Sequence, residues 1–335
     1  MTSAWIKGPT GVELYTKTWT VDKPKAYLVF VHGFMEHVNR YDHVFEAFAK
    51  RGIQTFAWDQ QGFGQTAAKT NTQGITSFAK QLDDVDYFVN ETAGKLTDNA
   101  KLFLMGHSMG GCLVATYATQ KPAFSGLSKI NGGMIVSSPL IEQPKKVAAP
   151  MLAVRAGSII GRLLPSLQMK VGVPSNDICR DPAVCKAYKE DPLCPPMGCY
   201  RGVADMLLGG KALLESRYAD WPKTLPTLFV HGSGDLVCEC SSTEKLVEKI
   251  KADDKHIQIF DGYYHEMHND GEDKWPYIAY LGDWIEKHAY VTIDGYVRYE
   301  SALALRHIDA EQRWSNGLLL MDCKQGQCVA PVAGA

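Results

Sequence analysis

Residues Gly106-His107-Ser108-Met109-Gly110 stand between an apolar run, Lys101-Leu102-Phe103-Leu104-Met105, and a helix-forming stretch from Gly111 to Ala118. The order is strand, tight turn, helix, with a serine at the apex and a glycine two residues away on each side. Such a turn needs small flanking residues, because its backbone enters a sparsely populated conformation while neighbouring segments approach closely. A serine held there has its hydroxyl above the end of a strand and the following backbone N–H groups aimed at an incoming carbonyl. The five letters by themselves also occur in ordinary Gly-rich connections, so the flanking strand and helix carry the argument. The chemistry they point to is acyl transfer from an ester to water.

The rest of the chain frames that turn. Residues 11–19 alternate loosely between polar and apolar and predict an edge strand, and Ala26–Val31 predicts a buried strand ending at His32-Gly33. A helix over about 41–50, closed by Gly52, leads to a strand over 53–58 and a Gly-rich loop after Asp59. A helix over about 75–94 follows, with Phe78, Leu82, Val85 and Val89 at helical spacing; residues 133–137 read as a further strand. This alternation with short connections predicts an α/β fold, a mostly parallel sheet with helices on both faces and ligands at the carboxyl ends of its strands. His32, Asp59, Ser108 and Ser137 all follow strand ends. From Pro139 to about Pro226 the alternation gives way to helical pieces and prolines without a convincing strand, which predicts an inserted helical cap. It resumes with a strand over 227–232, a helix near 242–251, a strand over 256–260 and a helix near 275–288. The expected divisions are 1–138, first part of the core; 139–225, cap or lid; 226–289, second part of the core; and 290–335, a C-terminal extension. In that extension Asp294-Gly295 is suited to turn a hairpin between residues 290–293 and 296–299.

With 335 residues, 45% of them hydrophobic and 21% charged, the chain is long enough for a sizeable core. A net charge of −2 argues against a polyanionic partner, so nucleic acid is not an expected ligand. Residues 1–8 lack the basic start and apolar stretch of a secretory signal, and no run of about 20 apolar residues predicts a membrane-spanning helix. A cytoplasmic protein is the expectation. Nine cysteines make an odd count, and Cys179, Cys185, Cys194 and Cys199 cluster at spacings of six, nine and five residues. Zinc knuckles use paired C-x-x-C spacings instead. Reduced thiols are the simpler reading, a Cys323–Cys328 disulfide is an alternative for the tail, and neither metal nor cofactor is expected.

A serine hydroxyl needs a base to become a nucleophile, and that base needs a carboxylate to orient it. Asp235, ending His231-Gly232-Ser233-Gly234-Asp235, and His265, ending Asp261-Gly262-Tyr263-Tyr264-His265, each follow a later strand. Their chain order is Ser, acid, His. Asp235 would otherwise cap the next helix. His268 competes for the role of base, and His265 is preferred because it lies nearer the strand end. The tetrahedral intermediate calls for two preorganised N–H donors. The backbone N–H groups of Met109, just after the nucleophile, and of Phe34, in the loop His32-Gly33-Phe34-Met35-Glu36, are the candidates.

Together, the segments His32–Tyr41, Gly106–Gly110, Gly232–Asp235 and Tyr264–His268 resemble the monoacylglycerol lipases, serine hydrolases of the α/β-hydrolase fold. The likeness runs from about residue 8 to 289 and includes the cap. There Ala187-Tyr188-Lys189-Glu190-Asp191-Pro192-Leu193 is similar to the family's tyrosine-then-Asp-Pro-Leu segment. The resemblance implies cleavage of monoacylglycerol to glycerol and fatty acid through an acyl-enzyme, with Ser108, Asp235 and His265 as triad and Phe34 and Met109 as oxyanion donors. It also implies that Glu36, Arg40, Tyr188 and His268 contact the glycerol end, directly or through water, and that Cys238 is a thiol near the active site. A diol headgroup needs several donors and acceptors in an otherwise apolar pocket. Two features depart from the family. The loop Asp59–Thr66 carries Gln and Phe where Arg or His is usual, and Phe34 is bulky where alanine is common. The stretches 147–154 and 159–164, apolar with Lys145, Lys146, Arg155 and Arg162 interspersed, suit peripheral docking on a membrane or lipid droplet; packing on the core is the alternative. Other functional classes are a thioesterase, lysophospholipase or other carboxylesterase, and a C–C bond hydrolase or acyltransferase on the same fold. A non-catalytic binding module would be expected to lack the nucleophile or base.

Overall fold

The computed structural model describes residues 1–97, 99–289, 322–324 and 327–329. In chain order the elements are β1 (Thr2–Lys7), β2 (Glu13–Trp19), β3 (Ala26–Val31), α1 (Asp42–Lys50), β4 (Ile53–Trp58), α2 (Gly64–Thr70), α3 (Phe78–Ala93), β5 (Lys101–His107), α4 (Met109–Ala118) and β6 (Gly133–Ser137). Then come α5 (Met151–Leu163), β7 (Gln168–Lys170), α6 (Pro182–Glu190), β8 (Met197–Cys199), α7 (Tyr200–Glu215), β9 (Thr227–Gly232), α8 (Cys240–Lys249), β10 (Lys255–Phe260), α9 (Lys274–Ala289), β11 (Asp322–Lys324) and β12 (Gln327–Val329). Eight strands form one sheet in the order β1-β2-β4-β3-β5-β6-β9-β10. The pairings β1–β2 and β2–β4 are antiparallel and all the others are parallel.

The central strands are buried on both faces, which is why they read as continuous apolar runs rather than as alternating ones. Their period of two still sorts the side chains. Val29, Val31, Leu102, Leu104, Met134 and Val136 pack on one side with α3 and α4. Leu28, Phe30, Phe103, Met105, Ile135 and Leu228 pack on the other with α1 and α9. Every residue of α4 is buried, because α7 lies across its outer face.

Three expectations need correction. The sheet's edge is β1 rather than β2. Strand β1 is almost wholly exposed, so little burial patterning marks it in the sequence. The Gly-rich loop after Asp59 contains a helix, α2, whose start is held by the Asp59 carboxylate accepting the Gln65 N–H at 2.7 Å. Between β6 and β9 the chain leaves the sheet, and this excursion contains a short antiparallel ribbon, β7–β8, as well as helices α5, α6 and α7. Three-residue strands leave no periodic trace.

The hairpin expected over residues 290–299 lies outside the described residues. Cys323 and Cys328 are register partners in β11–β12, but their side chains lie outside the described ones too. Among the described residues no helix is long and apolar enough to cross a membrane.

Candidate active site

Ser108 sits where β5 meets α4, with φ 56° and ψ −118°. L-residues rarely adopt this conformation, and it persists only where the surroundings over-determine it. Here the Ser108 N–H donates to the Ser137 carbonyl at 2.9 Å, and the Ser108 carbonyl accepts N–H groups of Cys112 and Leu140, each at 3.0 Å. The flanking glycines are explained by contact. A Cβ on Gly106 would overlap the Gly110 carbonyl, and a Cβ on Gly110 would overlap the Val31 carbonyl. Met109 is the first residue of α4, so its N–H belongs to the helix-initial donors that have no intrahelical partner.

Asp235 and His265 come together from the loops after β9 and β10. Asp235 Oδ2 accepts from His265 Nδ1 at 2.7 Å, with both side chains buried. The carboxylate is saturated: its Oδ1 accepts the N–H groups of Val237 (2.7 Å) and Cys238 (2.9 Å), and its Oδ2 also meets His231 Nε2 at 3.0 Å. Burial by itself would raise the Asp235 carboxyl, but the charge of His265 and the hydrogen bonds from His231 and His265 hold it well below the usual carboxylate range. Burial likewise pulls His265 down, and the Asp235 carboxylate outweighs it, so the imidazole lies well above 6.5. Ser138 Oγ donates to the His265 carbonyl at 3.2 Å and fixes the loop from behind. His268 takes no part in this pair. It stacks on Tyr41 with centroids 4.4 Å apart, and its Nε2 is buried without a partner among the described residues.

The loop after β3 approaches the serine closely: a Cβ on Gly33 would lie 3.0 Å from Ser108 Cβ. Glutamines hold this loop. The Gln60 N–H donates to His32 Nε2 at 2.9 Å, leaving the ring proton on Nδ1 to reach the Gly33 carbonyl at 2.8 Å. Gln60 Nε2 donates to the His32 carbonyl at 2.7 Å, and Gln81 supports Gln60 at 2.9 Å. Burial keeps His32 neutral, lowering it to about 3. The loop that departs from the family's Arg and His therefore supplies its own hydrogen bonds.

A cleft of about 250 Å³ opens at this point, lined by Phe34, Glu36, Ser108, Tyr188, His265 and Glu266 among others. Behind it lies a charge cluster. Arg40 makes a bidentate pair with Glu266 (2.6 and 2.7 Å), reaches Glu36 at 3.3 Å, and lies under the Tyr188 ring at 4.8 Å. Glu36 also accepts from the Gly33 N–H and from Tyr41 Oη at 2.9 Å. Burial pushes Glu36 up to about 7, Arg40 opposes that rise, and Glu266 adds to it; Glu266 is held down by Arg40 despite burial. Of the four residues assigned to the headgroup, Glu36 and Tyr188 line the cleft, whereas Arg40 and His268 stand behind it. The sequence assigns no role to Glu266, His231 or Ser138, and Gln60 enters only as part of the loop that departs from the family. Glu266 had a signal in its place next to His265, and Gln60 in the departure of its loop. Cys238 is buried beside the pair: its Sγ, a His265 ring nitrogen and an Asp235 oxygen lie within 4.8 Å of one another. Burial raises its thiol.

Residues 22–272 match the family described as serine aminopeptidase, S33. The monoglyceride lipase of Rattus norvegicus is 30% identical over 267 residues, covering 78% of this chain and 82% of that protein. The monoacylglycerol lipase of Mycolicibacterium smegmatis is 29% identical over 283 residues, covering 84% and 95%. Among solved structures, the monoacylglycerol lipase of Paleococcus ferrophilus superposes with a TM-score of 0.71 at 28% identity, covering 82% of this chain and 99% of that one. A soluble variant of the Saccharomyces cerevisiae monoglyceride lipase, in complex with a substrate analog, superposes with a TM-score of 0.79 at 22% identity, covering 87% and 97%. The last of these bears on the fold alone. The chain belongs to the monoacylglycerol lipase family of α/β-hydrolase-fold serine hydrolases.

Proposed function

We propose that this chain hydrolyses monoacylglycerol to glycerol and a free fatty acid, with Ser108 as nucleophile, His265 as base and Asp235 as its orienting acid. The observation that carries the reading is the buried 2.7 Å Asp235–His265 pair, whose His265 lines one cleft with a serine held at positive φ. Ser108 Oγ attacks the acyl carbon while His265 Nε2 takes the hydroxyl proton. The carbonyl oxygen becomes an oxyanion, received by the backbone N–H groups of Phe34 and Met109. One such donor is worth about 3–4 kcal/mol in related chemistry. Collapse breaks the ester C–O bond, and the glycerol oxygen leaves with the proton from His265. Water then attacks the acyl-enzyme, giving its proton to His265, and the second collapse returns that proton to Ser108 Oγ and frees the fatty acid.

Glu36 and Tyr188 would meet the glycerol hydroxyls, with Arg40 and His268 acting from behind them. The cluster also argues against a lysophospholipid. Two buried carboxylates against one guanidinium are a poor host for a phosphate, whereas neutral hydroxyls suit them. We read residues 139–225 as a cap and its helix α5 as a lipid-docking element. Leu152 is 82% exposed and Leu163 76%, with Ile159 exposed on the same helix and Arg155 and Arg162 beside them. Among the described residues seven cysteines are free, six of them buried, which favours a reducing compartment, in keeping with a cytoplasmic enzyme working at a lipid surface.

Labelling with a fluorophosphonate probe tests the core of the proposal: wild type labels and Ser108→Ala does not. A folded wild type that fails to label would sink it. A panel of mono-, di- and triacylglycerols with lysophospholipids tests the substrate, with monoacylglycerol expected to be turned over fastest.

A further inference from the structure

Phe34 has a side chain that the oxyanion role does not use. Its ring lines the cleft beside Ser108, together with Val173, Ile178 and Tyr188. It is only half-buried, and it stands edge-on to Phe63, with centroids 5.5 Å apart and planes at 77°. Its far end reaches the β7–β8 ribbon, where a Cβ on Gly198 would come within 3.1 Å of Phe34 Cζ. The ring thus spans from the loop after β3 to the cap.

Phe63, its partner, lines a second hollow of about 260 Å³ with Met35, Ala67, Leu193, Pro195 and Met197. This second hollow is walled by apolar side chains, glycine backbone and one polar side chain, Gln73; its apolar part is the surface an alkyl chain prefers.

We infer that the Phe34 ring, seated against Phe63, partitions the two hollows and sets the acyl-chain length the enzyme accepts, confining the cleft at Ser108 to short and medium chains. The inference rests on the ester-hydrolase reading above. It concerns the side chain alone, since every substitution at position 34 except proline keeps the backbone N–H.

The test is the ratio of kcat/KM for para-nitrophenyl hexadecanoate over butanoate, which cancels any general loss of turnover. Phe34→Ala joins the two hollows and raises the ratio by on the order of tenfold, since each methylene newly received in an apolar pocket contributes several-fold. Phe34→Trp lowers the ratio, and Phe34→Leu, which keeps most of the packing, raises it less than alanine does. A ratio unchanged in folded Phe34→Ala, or in Phe34→Leu where the alanine variant does not fold, overturns the partition. Wild type that turns over neither ester overturns the ester-hydrolase reading beneath it, which a wild type active on butanoate leaves intact.

Discussion

Residues 178–199 and residues 145–167 belong to the same excursion between β6 and β9, yet they are held in opposite ways. The first is stitched to the core. The Ile178 carbonyl accepts the Glu266 N–H at 2.6 Å, and Arg180 pairs through its N–H and its guanidinium with both oxygens of Asp270, at 2.7 Å each. Asp191 meets His37 at 2.9 Å, and Cys199 Sγ donates to the Thr76 carbonyl at 3.3 Å. The second is held on one side only. α5 packs on α7, where a Cβ on Gly161 would press against the Arg201 backbone, and it turns Leu152, Ile159, Leu163 and Leu164 to solvent. The tied half forms walls around Ser108, where precise spacing decides the chemistry. The other half offers apolar surface that no part of the described chain covers, and this is the property required of a part that meets a lipid surface.

Four experiments set these regions against each other. The largest effect belongs to the tied, catalytic side. Asp235→Asn should lower kcat by about 10⁴-fold, because the wrong tautomer of the base is then favoured. The loss should be equal for a soluble ester and for liposomal monoacylglycerol, with liposome binding intact; a loss confined to the liposomal substrate would break the division. The pH profile gives the same side a second readout. His265 must be neutral to act as base, and its pKa is raised, so kcat/KM should fall as pH drops through a value above 6.5. An acid limb below 6.5 would contradict the Asp235–His265 coupling.

Next comes the exposed side. The double substitution Leu163→Ser, Leu164→Ser should weaken liposome binding on the order of tenfold, since each leucine loses much of its favourable transfer from water. Turnover of a soluble short-chain ester should stay within twofold, about the scatter expected for an exposed site. Unchanged sedimentation with liposomes would leave α5 without the docking role.

The smallest effect tests the stitching. Asp270→Ala removes both of Arg180's bonds to that carboxylate and leaves its guanidinium only Asp273, at 2.9 Å; because Arg180 is about a third exposed, the cost should be roughly 1–2 kcal/mol, or a few degrees of melting temperature. KM should rise more than kcat falls, because the wall carrying Ile178 loosens while Asp235 and His265 stay paired. No change in either melting temperature or KM would show that the other ties suffice.

The positions of Ser108, Asp235 and His265 were legible because each follows a strand, and strands were readable from apolar runs four to six residues long. The glycines around Ser108 were readable for the same local reason: close approach within one turn excludes a Cβ. The edge strand β1 escaped because it is exposed, and the β7–β8 ribbon because it is too short to show a period. Of the residues that the resemblance gives to the headgroup, Glu36 and Tyr188 line the cleft. Nothing in the spacing of Arg40 announces that its guanidinium is occupied by Glu266, which is 226 residues away in the chain.

By itself, the sequence determined the central strands of the sheet, the turn that bears Ser108 and the chain order of Asp235 and His265, since these follow from the chain's local periodicity and from steric limits within a few residues. Only the tertiary structure decided which carboxylates share Arg40, that His231 and Ser138 brace the Asp235–His265 pair, and that Phe34 stands between two hollows. It also decided which half of the excursion is tied down. Each of these depends on partners brought together from distant strand ends, where burial sets charge and hydrogen bonding and no sequence interval records the distance.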